Sequence, residues 1–210
     1  MTPAAGVIGS ACVVLAFVGG CSPAGPQSPD RAAEVDGVRL EATLSEAQGL
    51  RVEYTVTNDG DVPVTVLDRM PGEGSFSSAY VVDDERVTVD AYADGVVELS
   101  KRSYATPDDV TLESPWELQG TRLAPGDSVS GVGVTPFPLQ VVGIGFDIEP
   151  VGLDEVPADA ERWRFCIEVG EAGDVEVEAT DDGLPAVWVN NPMDGEILCT
   201  DTQQLPEGWR

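Results

Sequence analysis

The chain has no histidine and a single lysine, Lys101, among its 210 residues. Without an imidazole, no Ser-His-Asp or Cys-His nucleophile system can be assembled. His-ligated zinc and copper sites are excluded on the same ground. A Ser-Lys arrangement has no Ser-x-x-Lys spacing to rest on, because Ser100 directly precedes Lys101. Cations are scarce throughout: 11 Lys and Arg stand against 38 Asp and Glu, a net charge of -27. A chain so acidic lacks the basic patch that phosphates demand, so nucleic acid is not an expected partner. Electrostatic docking on anionic lipid headgroups is disfavoured for the same reason. No cofactor is expected, and no residue is assigned as a metal ligand.

Long apolar runs are missing too. Residues 4–20 carry no charge, but the unbroken apolar stretch covers only residues 11–18, short of the roughly 20 residues a spanning helix needs. Ser22, Pro23, Ala24, Gly25 and Pro26 follow, with no Lys or Arg to stop transfer. A short apolar segment ending in small residues reads as a secretory signal. Val18-Gly19-Gly20-Cys21 resembles the lipobox of bacterial lipoproteins. That resemblance implies cleavage before Cys21, a lipidated thiol and an acylated new amino terminus. The resulting partner is the bilayer, reached through Cys21, and the expected address is the extracytoplasmic face of the cell membrane; the alternatives are a secreted protein and a retained anchor. One acyl chain holds only marginally, whereas two or three pass the threshold for stable attachment. Residues 22–34 contain Pro23, Pro26 and Pro29 and are expected to form an extended tether that lifts the acidic body several Debye lengths off the bilayer.

With Cys12 removed in the signal and Cys21 lipidated, Cys166 and Cys199 remain as an even pair in an oxidising compartment, which reads as a disulfide. Two reduced buried thiols are the alternative.

Period-two alternation dominates residues 35–210, which are expected to form one domain. Val38, Leu40, Ala42 and Leu44 alternate with polar residues, as do Leu50, Val52, Tyr54 and Val56. Asn58-Asp59-Gly60-Asp61 then suggests a tight hairpin, Asp59-Gly60 supplying its positive-φ positions, with Val62, Val64 and Val66 on the return strand. Further strands are expected near residues 79–83, 86–90, 95–100, 128–134, 142–148, 163–169, 175–177, 186–189 and 196–200. Pro157 suits the first position of a short helical turn to Arg162. Many short strands with Gly, Pro and Asp turns indicate an all-β fold, an enlarged antiparallel immunoglobulin-like β-sandwich. Residues 50–66 and 123–131 resemble parts of the immunoglobulin-like modules of bacterial surface proteins. An antibody-type domain is excluded, since Cys166 and Cys199 are too close in sequence and Ile197 stands where its conserved tyrosine belongs.

Acidic pairs are abundant: Asp83-Asp84-Glu85, Asp108-Asp109, Asp154-Glu155 and Asp181-Asp182. Solvated turns explain them, with calcium ligation and a carboxylate-pair hydrolase as alternatives. Two stretches are candidate binding loops, since aromatics, Met and Arg are enriched at interface cores. The first, residues 68–76, offers Arg69, Met70 and Phe76; the second, residues 188–195, offers Trp188, Asn190 and Met193. The expected function is a noncatalytic lipoprotein whose sandwich binds an envelope protein or glycan. A divalent-cation-dependent structural or adhesion module is the alternative, with a carboxylate-based hydrolase as the third reading.

Overall fold

The computed structural model describes residues 25–46, 50–72, 82–104, 117–135, 138–142, 153–171, 176–179, 184–190 and 195–206. They form an all-β sandwich with no helix among them. The smaller sheet has the order β1-β2-β3-β9, with β1 at Glu34–Val35, β2 at Val38–Glu46, β3 at Leu50–Asn58 and β9 at Ser128–Thr135. Its alternation works as expected: Val38, Leu40, Leu50, Val52, Tyr54, Val56 and Val129 are buried. The opposite face carries hydroxyl and ionic pairs, such as Thr55 with Ser130 at 2.9 Å and Arg39 with Glu41 at 2.8 Å.

The larger sheet runs β11-β12-β8-β4-β10-β7-β6. Its strands are β4 (Val64–Pro71), β6 (Thr88–Ala91), β7 (Val96–Lys101), β8 (Glu117–Leu123), β10 (Arg162–Glu171), β11 (Glu176–Ala179) and β12 (Pro185–Asn190). Short β5 (Val82–Asp83) joins β4, while β13 (Gly195–Cys199) and β14 (Gln203–Gln204) pair with the other side of β10. Every strand pair is antiparallel except β10 with β7, which is parallel. Trp163, Phe165, Ile167 and Val169 of β10 face the smaller sheet and build the core with Val66, Val89, Val97, Leu99 and Leu198. Tyr54 stacks on Phe165 across the layers, ring centroids 4.9 Å apart, and its hydroxyl sits where a side chain on Gly131 would be. The expected disulfide is present, joining Cys166 to Cys199 across β10 and β13.

The Asn58–Asp61 turn departs from expectation. β3 pairs with β2 and β9, and β4 belongs to the other sheet, so this segment crosses between layers instead of closing a hairpin. Asn58 explains why. Its buried Nδ2 donates to Val62 O at 2.9 Å and Leu123 O at 3.2 Å, while its Oδ1 accepts from Gly60 N at 3.0 Å. Those bonds fasten the corner to both layers. The tight Asp-Gly hairpin lies earlier, at Asp36-Gly37 between β1 and β2, where both residues have positive φ (47° and 78°).

The expected tether is also corrected. Residues from Gly25 onward are packed on the body: Ala93 N donates to Pro26 O, Cys199 N to Ala32 O and Leu40 N to Ala33 O. Ser28 Oγ bonds Asp94 Oδ2 at 2.6 Å. A free Pro-rich spacer over residues 25–34 is therefore ruled out. At Pro157 the chain makes a single turn, Ala160 N donating to Pro157 O at 3.0 Å.

Candidate functional site

Both faces of the larger sheet are covered at β6, β7 and β10, and this sets up a polar layer. Every residue of β7 is buried, as are residues 163–169 of β10. Because side chains alternate, the residues opposite the core are Thr88 and Asp90 on β6, Glu98 and Ser100 on β7, and Arg164, Cys166 and Glu168 on β10. Segment 25–33 and residues 102–104 enclose them.

The ions in this layer are paired. Arg164 clamps Glu98 Oε2 through Nη2 at 2.6 Å and Nε at 3.0 Å, and its Nη1 reaches Pro29 O at 2.7 Å. Arg102 Nη2 donates to Asp90 Oδ2 at 2.6 Å, and Nη1 stands 3.7 Å from Glu98 Oε1. The Tyr104 hydroxyl donates to the same Asp90 oxygen at 2.9 Å. Burial raises the Asp90 pKa against the opposing pull of Arg102. Burial raises Glu168 likewise, although Ser103 N donates to its Oε2 at 2.6 Å. Burial disfavours the Arg102 charge, yet Tyr104, Glu98 and Asp90 outweigh it and the pKa rises. Asp90 Oδ1, Glu98 Oε1, Arg102 Nε and the Tyr92 hydroxyl are buried without a hydrogen bond.

A second buried charge lies on the core side. Lys101 Nζ donates to Asp68 O at 2.9 Å and to Asp84 O, with the Tyr54 ring 5.4 Å away. The Asp68 carboxylate accepts from Thr121 N at 3.0 Å and Thr121 Oγ1 at 2.8 Å. The β4–β8 register shifts between Val66 and Arg69, so the carboxylate serves as an acceptor where the ladder is irregular. Burial pushes Asp68 up to about 6, Lys101 opposing. Burial also pulls Lys101 down to about 8, against the acids around it.

Neither cluster presents chemistry to a substrate. Glu98 and Asp90 are fully buried and already held by arginine. The potential metal ligands that converge among the described residues, Glu98 with Cys166 and Cys199, include two sulfurs committed to the disulfide. The acidic pair Asp154-Glu155 is exposed, and Asp83 Oδ1 accepts from Glu85 N at 3.2 Å in a turn. Asp108-Asp109 and Asp181-Asp182 lie outside the described residues.

An open feature occurs at one end of the sandwich. A groove of about 530 Å³ runs between the β1–β2 hairpin of one sheet and β4, β10 and β13 of the other. Val62, Val64 and Leu198 supply apolar lining, and the charged residues along it are Asp36, Glu171 and Glu196. Val62 is 60% exposed, the large apolar side chain that stands out most among the described residues.

The candidate loop residues fare differently. Arg69 and Met70 are strand residues of β4, not loop residues; Met70 is fully buried, and Arg69 Nε donates to Gln119 Oε1 at 3.3 Å. Met70 is therefore no part of an exposed binding surface. Trp188 and Asn190 belong to β12, opposite Gln119 and Glu117 of β8. Phe76, Met193 and Cys21 lie outside the described residues. The second stretch nonetheless ends at Gly195, which lines the groove. Sequence reasoning missed the groove itself; an apolar Val62-Pro63-Val64 run beside acidic turns was its one local signal. No known protein family, curated protein or solved structure matches the chain.

Proposed function

We propose that the chain is a noncatalytic lipoprotein, anchored through Cys21 on the extracytoplasmic face of the membrane, whose acidic sandwich holds an envelope protein or glycan. The observation that supports this most is the docking of segment 25–33 on β10 and β13. The body begins four residues after Cys21, so an acyl group there stands within about 14 Å of Gly25 even with the chain extended. A lipid at that position fixes the body beside the bilayer and decides which end faces away.

Gly25 approaches Ala93 and Leu153, at the end where β7 and β10 begin. β10 then runs 10 residues, about 33 Å at strand rise, to the groove at Glu171. The groove thus lies at the opposite end of β10 from Gly25. The enclosed, ion-paired carboxylates favour a binding role over a hydrolytic one.

The test is the intact mass of protein extracted from membranes, alongside the Cys21→Ser variant. The expected species starts at Cys21 and carries acyl mass, and Cys21→Ser leaves the membrane fraction. An unlipidated mature chain, or Cys21→Ser retained in the membrane, overturns the reading.

A further inference from the structure

The free edge of the smaller sheet carries an inference about the partner, which rests on the binding role proposed above and narrows it to a protein. β9 ends that sheet, with β3 as its one strand partner among the described residues. Asn58 N donates to Asp127 O on the β3 side, whereas Val134 N donates outward to Glu85 O at 2.8 Å. Backbone groups alternate sides along a strand, so the N–H and C=O of Ser128, Ser130 and Val132 point the same way as Val134 N. No described group bonds them, and Ser128 and Ser130 are exposed. The turn that holds Glu85 meets this edge at Val134 alone. Other sheet ends are blunted in the ways edges usually are: β1 has two residues, Val89 of β6 exchanges bonds with Val142, and β11 has glutamate at 176 and 178. β9 has no such guard. Residues 128–135 contain no charge and no proline, and their register with β3 runs without a bulge.

We infer that β9 receives an extended segment of another protein, added as a strand at Ser128, Ser130 and Val132, uncharged beside them and basic at its ends. Backbone groups spaced along a strand match another backbone rather than a sugar. The flanks of the edge set the charge. Asp83 and Asp84 are exposed in the turn beyond Val132, where Arg51 reaches Glu85, at 3.8 Å, and neither aspartate. Asp127 stands at the other end of the strand. A second copy of the chain fits poorly. A two-fold pairing that uses all three residues centres on Ser130 and sets Gly126 of one copy opposite Val134 of the other, where the Glu85 turn already sits. Asp127 of each copy would then lie beside the acidic turn of its partner, like charges meeting at both ends. A segment with basic ends meets the same carboxylates as attractions.

The probe is a fluorescent, end-blocked Arg-Thr-Val-Thr-Val-Thr-Arg peptide, titrated by anisotropy against the full mature protein extracted in detergent. The expected result is saturable binding, with no binding of the same peptide carrying Asp for both Arg. Ser130→Pro removes an outward N–H while leaving the bonds to β3, and weakens binding by at least about ten-fold. Asp83→Asn/Asp84→Asn weakens it about three-fold or more, the scale of two exposed ion pairs. Both aspartates are exposed and lie off β9, so this variant reports on the edge whether or not the proline variant folds. Absence of saturable binding, equal binding of the Asp-ended peptide, or undiminished binding by the double aspartate variant overturns the inference. Undiminished binding by a folded Ser130→Pro, displacement of the peptide by a neutral glycan oligomer, or a homodimer that Ser130→Pro disperses also overturns it. Intact mass of the same sample keeps the two readings apart: acylated protein that ignores the peptide refutes the edge alone, and unlipidated protein that binds it refutes the anchor alone.

Discussion

Replacing Arg164 by leucine tests the buried ion layer most directly. Arg164 supplies both hydrogen bonds to Glu98 Oε2, and it ties segment 25–33 to β10 through Pro29 O. Arg102 and Arg164 balance Asp90 and Glu98 in the wild type. In Arg164→Leu, Glu98 remains fully buried with only Arg102 Nη1, 3.7 Å from its other oxygen. Removing one partner of such a pair costs about 3–5 kcal/mol, because the remaining charge is stranded away from water. With roughly 180 folded residues at about 2.1 cal/mol/K each, the unfolding entropy is about 0.4 kcal/mol/K, so a 4 kcal/mol loss lowers Tm by about 10 °C. The double variant Glu98→Leu/Arg164→Leu deletes both charges, leaves Asp90 with Arg102, and is expected to recover at least half of that loss. Thermal unfolding followed by circular dichroism measures all three proteins. Limited trypsin digestion adds a local readout, since loosening of segment 25–33 speeds cleavage after Arg31. If Arg164→Leu lies within about 1 kcal/mol of the wild type, or the double variant is no better than the single, the layer is not held by charge compensation and the reasoning fails.

The remaining predictions concern other parts of the fold. Asn58→Ala removes the three bonds of the inter-sheet corner and is expected to cost about 1–3 kcal/mol by urea unfolding, since the buried bond to the Leu123 carbonyl and the part-buried bond to the Val62 carbonyl are lost; a loss below about 0.5 kcal/mol would refute the corner's role. The Cys166–Cys199 bond closes a 33-residue separation, so the double Ala variant should lose about 3.7 kcal/mol in the chain-entropy treatment, and non-reducing peptide mapping should recover the joined peptides. Asp68 has a folded pKa of about 6, above its ordinary 3.8, so its contribution is full below about pH 4 and is lost as pH rises through 6, on the order of 3 kcal/mol. Asp68→Asn therefore gains stability relative to the wild type between pH 4 and pH 7, and parallel urea curves at the two pH values check the sign. Lys101 runs the other way: its folded pKa of about 8 lies below the ordinary 10.5, so its contribution is present above that value and is lost as pH falls through 8. Raising the pH from 7 to 10 should accordingly stabilise the wild type relative to Lys101→Met.

Strands β2, β3 and β9 were legible because one side of their sheet is solvated, which writes the two faces into the sequence as apolar and polar alternation. β8 was not. Residues 118–121 are all buried, on both sides, and Gly120, where a side chain would strike Val66 O, interrupts any pattern. The two Asp-Gly pairs look alike, yet only Asp36-Gly37 takes positive φ; the difference at Asp59-Gly60 comes from where the Asn58 side chain is held, a tertiary fact. Arg69 and Met70 looked like loop residues because glycines follow them, but β4 continues to Pro71. The disulfide could be read from cysteine arithmetic. The ion layer could not: Arg164 and Glu98 are 66 positions apart, and the alternation of Arg164 and Glu168 with apolar residues looks the same under a protein cover as under water. The groove depends on the edges of two sheets meeting, which no local pattern encodes.

The burial of Lys101 turns amine chemistry into a clock. It is the only side-chain amine in the molecule, and it is fully enclosed with its donors turned to Asp68 O and Asp84 O. An acylating reagent finds no side-chain amine on the intact surface. Modification of Lys101 must wait for the sheet around it to open, so when reclosing is fast the labelling rate at this one position reports the free energy of that opening. A single mass shift, read over time, then follows the breathing of the core without any engineered probe.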